Sequence, residues 1–307
     1  MIETTGPDDA ASPEQLRYGA VVTPGYRVLS LLSRGVEFET YDAWSEERFA
    51  RCVVKTIRAD RTSPSNRARL RREGMLLTTA DHPHLVRGYQ TGSRPRPFVV
   101  LETLSGATLG HLLTMRRRLL AAADVALLGS QLCAVLRFLH ARGYLHLDVK
   151  PDNVIIEGGR AKLLDLSLAQ PPGRVPPGLG TSAYMSPEQA RGGRIASATD
   201  VWGVGITLYE AATRTNPFAD PSAGAPDRDR RSSGSRPPTG RCATCGGPRD
   251  YLQLGERAPQ IQRRRQLPRE LADAINAALD PTATNRPTLS ELDVVLNRVA
   301  RSDRPPW

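Results

Sequence analysis

Lysine is almost missing from this sequence. Of 42 basic residues, only Lys55, Lys150 and Lys162 are lysine, and the other 39 are arginine. Against that bias, a retained lysine marks a place where a compact ammonium serves and a broad planar guanidinium does not. Cysteine is scarce too. Cys52, Cys133, Cys242 and Cys245 show no framework spacing, which excludes a disulfide-stapled secreted scaffold. No run of about eighteen apolar residues is present, the length a membrane-crossing helix needs. The N-terminus, MIETTGPDDAASPEQ, is polar and acidic rather than leader-like. The expectation is a soluble, cytoplasmic protein with no membrane segment.

The net charge is +10, which raises the question of nucleic acid. Between Asp220 and Glu270 there are eleven arginines against six acidic residues, so +5 of the +10 lies in that stretch. It contains no recognisable reading helix, and no nucleic-acid partner is expected. Hydrophobic residues make up 39% of 307, enough for a sizeable core.

Residues 1–20 lack hydrophobic periodicity and read as a disordered tail. Tyr26–Leu32, Phe38–Trp44, Arg51–Ile57 and Pro97–Glu102 read as strands, with a helix over 64–80 between the last two. Beyond them the pattern turns helical. Val125, Leu128, Leu132, Val135, Leu136 and Leu139 line one face of a segment spanning 122–143, and further helices are expected at 200–213, 269–279 and 288–300. Two short strands, near 154–156 and 161–164, interrupt this part. The layout predicts an α+β protein of two lobes, at 21–104 and 105–303, joining near 102–106. Residues 219–249 are rich in Pro, Gly, Ser and Arg and read as a disordered basic insert. Within it, Cys242 and Cys245 look like half of a zinc knuckle. A structural zinc site needs about four ligands, and the insert holds no other Cys or His.

The most specific segment is His146-Leu147-Asp148-Val149-Lys150-Pro151-Asp152-Asn153, between a helix and a strand. A carboxylate, an ammonium and an amide on one tight loop suit a phosphoryl transfer: one accepts the proton of an attacking hydroxyl, one neutralises the moving group, and one helps hold a metal. Twelve residues past Asn153 lies Asp165, in Leu163-Leu164-Asp165-Leu166-Ser167. Upstream, Lys55 ends the strand Cys52-Val53-Val54-Lys55, and Glu73 sits on the helix that follows, before His82-Pro83-His84-Leu85-Val86. Downstream come Gly180-Thr181-Ser182-Ala183-Tyr184-Met185-Ser186-Pro187-Glu188, then Asp200-Val201-Trp202-Gly203-Val204-Gly205, then Asn285-Arg286-Pro287.

In that order, these landmarks resemble the bacterial (Hanks-type, eukaryotic-like) serine/threonine protein kinase family over roughly residues 26–300. The resemblance implies a protein-kinase fold, with a small strand-rich N-lobe carrying one key helix and a larger, mainly helical C-lobe. It implies transfer of the ATP γ-phosphoryl group to Ser or Thr hydroxyls of protein substrates, with Mg²⁺ or Mn²⁺. Asp148 and Lys150 become the catalytic pair, Asn153 and Asp165 the metal ligands, and Lys55, oriented by Glu73, the phosphate contact. Gly35, Leu101, Glu102, Leu104 and Ile155 are implied as further nucleotide contacts, and Glu188 and Arg286 as an ion pair. Residues 219–265 are a possible partner-docking segment.

Several positions depart from the family pattern. The glycine loop reads Ser33-Arg34-Gly35-Val36-Glu37-Phe38-Glu39-Thr40, keeping only the middle glycine and placing side chains and negative charge near the phosphates. Val53 and Thr40 alter the roof over the adenine. Leu166-Ser167 replaces Phe-Gly. Leu147 replaces the arginine that in many relatives binds a phosphate on the activation segment, and residues 168–180 contain no Ser, Thr or Tyr. Both absences predict an activity independent of phosphorylation in that stretch. The degraded loop keeps a second reading open, a pseudokinase acting as a nucleotide-tuned scaffold. A kinase-fold phosphotransferase for small molecules is a third.

Overall fold

Alternating apolar and polar residues lay down the first sheet. The computed structural model describes residues 15–115, 118–219 and 251–302. These pack as two units, one of 15–81 with 87–103, the other of 82–86 with 104–219 and 251–302. Most of the expected tail (1–14), residues 220–249 of the expected insert, and with them Cys242 and Cys245, lie outside the described residues. Of the remaining tail, Leu16 and Ala20 pack against the first core.

In the first unit, β1 (Val21–Thr23), β2 (Tyr26–Arg34), β3 (Phe38–Ser45), β4 (Ala50–Ile57), β5 (Gly88–Gly92) and β6 (Phe98–Leu101) form one antiparallel sheet in the order β1-β2-β3-β4-β6-β5. Strand alternation sends Tyr26, Val28, Tyr41, Ala43, Cys52, Val54, Phe98 and Val100 into a single cluster. Helix α1 (Pro64–Thr79) begins where the sequence signals it. The Asn66 N–H donates to the Ser63 hydroxyl at 3.1 Å, and Pro64 takes the first helical position. The helix lies close on the sheet at Gly74, where any Cβ would collide with Thr91. That approach brings Glu73, on the preceding position, down to the sheet as well.

The second unit contains β7 (Ala107–Thr108), α2 (Leu109–Met115), α3 (Ala122–His140), β8 (Val154–Glu157), β9 (Arg160–Leu163), β10 (Gly173–Val175), α4 (Pro187–Arg191), β11 (Gly193–Ile195), α5 (Ser197–Thr213), α6 (Leu252–Gly255), α7 (Arg269–Ala278) and α8 (Leu289–Ser302). Helix α5 is its centre: thirteen of its seventeen residues are buried, so it is apolar almost all round rather than amphipathic. Helix α3 is long and apolar enough to cross a membrane by length and composition. In this fold it is a core helix, packed against α5 and α8, with Leu132, Cys133, Val135 and Leu136 almost wholly enclosed.

A buried ion pair ties the far end of this unit together. Arg286 donates through both terminal nitrogens to Glu188, at 2.8 and 2.9 Å, with its side chain fully enclosed. It also lies 5.0 Å from the centroid of the Trp202 ring. Burial alone would raise the Glu188 carboxyl. The hydrogen bonds and charge of Arg286 outweigh that and hold it below the usual carboxylate range. Removing the cation strands a buried charge, so Arg286→Leu should cost about 3–5 kcal/mol in urea denaturation. A loss below ~1 kcal/mol, typical of an exposed pair, would show that Glu188 rehydrates. Because its folded value is depressed, Glu188 contributes stability above the unfolded value of about 4.3, and loses it as pH falls through the lower folded value. Arg286→Leu should remove that acid loss and, with burial no longer outweighed, reverse its sign.

Candidate active site

The segment 145–153 is shaped from below by one carboxylate. Asp200, in the first turn of α5, accepts from the backbone N–H of His146 and of Leu147, both at 2.8 Å, and from His140 Nε2 at 2.7 Å. Burial pushes Asp200 up, but these donors and the adjacent imidazoles outweigh it and keep it below the usual range. The His146 ring is fixed at both nitrogens: Nε2 donates to the Leu164 carbonyl at 2.9 Å and Nδ1 accepts from the Asp148 N–H at 3.2 Å. Leu147 then sits at φ 68°, a conformation that costs a non-glycine residue about 1–3 kcal/mol. The two bonds from Asp200 hold the backbone through this bend.

Past the bend the polar groups converge. Asp148 Oδ2 accepts from Lys150 Nζ at 2.7 Å and Asn153 Nδ2 at 3.0 Å, while its Oδ1 accepts from the Thr181 hydroxyl at 2.6 Å. Lys150 Nζ also donates to Thr181 Oγ1 at 2.6 Å. Asn153 makes a further bond to the Asp148 carbonyl at 2.8 Å. A 3₁₀ turn at 151–153, opened by Pro151, brings the asparagine back under the aspartate. Asp165 arrives through the β8–β9 hairpin. The register Val154↔Leu163, continued by the Leu164 N–H to the Asn153 carbonyl at 2.8 Å, sets Asn153 and Asp165 at the same end. Asp165 is left-handed at φ 59°, and its Oδ1 takes the Ser167 N–H at 3.0 Å.

In the first unit, Lys55 and Glu73 meet as an ion pair at 2.9 Å, both buried. The remaining expected nucleotide contacts are more loosely defined. Leu101 is buried opposite Val53 in the sheet. Glu102 accepts from the Arg87 N–H at 2.9 Å. Gly35 is exposed, and a Cβ there would meet only the Phe38 carbonyl, at 3.4 Å. Leu104 and Ile155 belong to the second unit and are half-buried.

The segment after Asp165 is held by strands and apolar packing. Leu145 and Gln170 exchange backbone hydrogen bonds at 2.9 and 3.2 Å, and β10 pairs with β11. Leu145, Leu147, Val175 and Ile195 form a buried cluster, flanked by Leu168 and Leu179. Gln189 clamps the far end, its Nε2 donating to the carbonyls of Leu147 and Leu179 at 2.8 and 2.9 Å. Gly180, at φ 132°, passes where a side chain would strike Met185. Gln189 is a positioning residue missed in the sequence. The capping pattern Ser186-x-x-Gln189 would have placed it at a helix start. His140 was missed as well, since nothing along the chain links it to Asp200.

The donor set suits a hard divalent cation. Such ions take oxygen ligands and keep waters and phosphate oxygens in their shells. Asn153 commits its amide nitrogen to Asp148, leaving the amide oxygen for another partner, and Asp165 adds a carboxylate at the same hairpin end. Among the described residues no group of three or more His, Cys, Asp or Glu could hold a metal alone.

A charged lysine–glutamate pair lies in a strand-rich unit and an Asp–Lys–Asn–Thr cluster in a helical one, within a fold of α+β class. The family model described as the protein kinase domain matches residues 26–294. The chain is 34% identical over 211 residues to a probable serine/threonine-protein kinase of Streptomyces coelicolor, covering 64% of this chain and 31% of that protein. It is 34% identical over 190 residues to the serine/threonine-protein kinase PknB of Mycobacterium tuberculosis, covering 55% and 29%. With a serine/threonine-protein kinase of Arabidopsis thaliana it shares 31% over 227 residues, covering 70% and 47%. The chain belongs to the protein kinase family, whose members use ATP and a divalent metal. It spans less than a third of the length of the two bacterial relatives.

Leu147→Ala tests the apolar hold on residues 168–180. Emptying a buried leucine site costs about 2–5 kcal/mol, and here the loss should appear as local opening. Hydrogen exchange over 168–180 should quicken by at least about tenfold, with α5 unchanged. Equal exchange in both proteins would show that strand pairing and Gln189 suffice.

Proposed function

We propose that this chain is an active serine/threonine protein kinase, transferring the γ-phosphoryl group of ATP to Ser or Thr hydroxyls of protein substrates in the cytoplasm, with Mg²⁺ or Mn²⁺. The observation that carries the reading is the Asp148 carboxylate held by three donors, from Lys150, Asn153 and Thr181. Three donors fix its orientation, which a general base needs before proximity can help. Asp148 accepts the proton of the attacking hydroxyl. Lys150, already beside it, sets positive charge next to the transferring group. Thr181 bridges the two and ties the substrate-side segment to the catalytic loop. Lys55, held by Glu73, orients phosphate oxygens. Asn153 and Asp165 would hold the metal, which when bound neutralises charge on the phosphate oxygens. The thiols of Cys52 and Cys133, buried and unpaired with each other, are at home in a reducing compartment.

Transfer of label from γ-labelled ATP, to the protein itself or to a generic basic protein, tests this. Asp148→Asn should lower the rate at least about a hundredfold, the usual scale of general-base catalysis. No label from either protein with either metal would favour the scaffold reading, which the glycine-poor turn supports. Treatment with a broad-specificity phosphatase should leave the rate within about twofold, since the apolar cluster around Leu147 stands where a phosphate clamp would act. A large loss would point to control through Ser167, Thr181 or Ser182.

A further inference from the structure

The turn that should cradle phosphates is tied down within its own unit. The Gly35 N–H closes it on the Phe38 carbonyl at 2.9 Å. Arg58, just past the end of β4, holds it with a guanidinium bond to the Gly35 carbonyl at 3.1 Å and its N–H on the Glu37 carbonyl at 3.0 Å. Glu37 pairs with Arg69 of α1 at 2.8 Å. Arg69 and Glu73 lie one helical turn apart, so one face of α1 reaches both the turn and Lys55.

Phe38 stands between these anchors. Thr40 lies directly across from Lys55, and Phe38, two residues along, shares its face of the sheet. The ring centroid is 5.1 Å from Lys55 Nζ and 5.5 Å from Arg69 Cζ, within cation–π range of both. The Lys55 ammonium is thus met by Glu73 on one side and an aromatic face on another. Two attractions hold the ring there, and the Glu37–Arg69 pair holds the turn that carries it. A glycine at this position would leave the space open.

We propose that Phe38 determines nucleotide affinity: its ring covers the approach of a polyphosphate to Lys55, and the Glu37–Arg69 pair latches it in place, so a nucleoside triphosphate binds only by displacing it. This rests on the reading of Lys55 as the phosphate contact. The ring opposes the phosphates alone, so adenosine, which lacks them, is indifferent to it. The latch also couples the turn to α1, because releasing Arg69 loosens the ring without touching Lys55 or Glu73.

Calorimetric titration of the whole chain with Mg-ATP and with adenosine tests this, comparing wild type, Phe38→Gly, Arg69→Gln and Lys55→Ala. Phe38→Gly should lower the Kd for ATP about fivefold to tenfold and Arg69→Gln about twofold, the scale of a released cation–π contact. Adenosine affinity should be unchanged in both. Lys55→Ala added to Phe38→Gly should erase the gain. ATP binding that is unchanged or weaker in both Phe38→Gly and Arg69→Gln, or an adenosine change of equal size, would overturn the proposal. If Lys55→Ala alone left the ATP affinity of the wild type unaltered, the phosphate role of Lys55 would fall, and this proposal with it.

Discussion

The Asp200 carboxylate is the contact on which the loop from His146 to Asn153 depends. It is almost wholly buried, and an unpaired carboxylate in that position would cost several kcal/mol. Three donors offset the cost, two of them consecutive backbone N–H groups of the loop itself. Those two bonds make Leu147 tolerable in a left-handed conformation, and the bend at Leu147 turns Asp148 towards Lys150, Asn153 and Thr181. The support extends outward: the Ser197 hydroxyl lies 2.9 Å from His140 Nδ1, orienting the imidazole that donates to Asp200. Because α5 is enclosed by its neighbours, the carboxylate has a fixed base, and the loop inherits that rigidity.

Most of this arrangement was legible in the sequence because it depends on order and type. The strands at 26–34, 38–45 and 50–57 are local signals of alternation, and the helix from Pro64 starts at a Ser-Pro step. The loop from His146 to Asn153 was legible for a similar reason, since its polar groups are neighbours in the chain. The misses are non-local. β5, GYQTG, is polar with glycine at both ends, and exists because β6 and α1 lie against it. β10 and β11, GRV and GRI, are three residues each, and form only as partners eighteen or more positions apart. His140 and Gln189 acquire their roles from contacts 60 and 42 residues away. No periodicity announces such pairs.

The departures from the family pattern also become physical once the neighbours are known. Leu147 in place of arginine is not a hole in the machinery, because apolar groups surround it. Leu145, Val175 and Ile195 bury it, and two flanking leucines extend the contact. Apolar contact is non-directional and needs no modification to switch it on, whereas an arginine in the same enclosure would need an anion. The Phe38 substitution follows the opposite logic. It adds bulk and directional attraction beside Lys55, where the family pattern has neither.

The choice between lysine and arginine follows from the same geometry. Arg286 uses two nitrogens on two carboxylate oxygens of Glu188 and lays its plane near Trp202, a task for a planar fork. Lys150 instead puts one ammonium within 2.7 Å of Asp148 Oδ2 and 2.6 Å of Thr181 Oγ1, on a loop already closed by Asn153. An ammonium concentrates its charge on one nitrogen, whereas a guanidinium spreads it over three. Lys55, beside Glu73 and the Phe38 ring, likewise places its charge on one nitrogen. In a chain that otherwise prefers arginine, two of three lysines stand in the candidate site, so the compositional bias itself points to it.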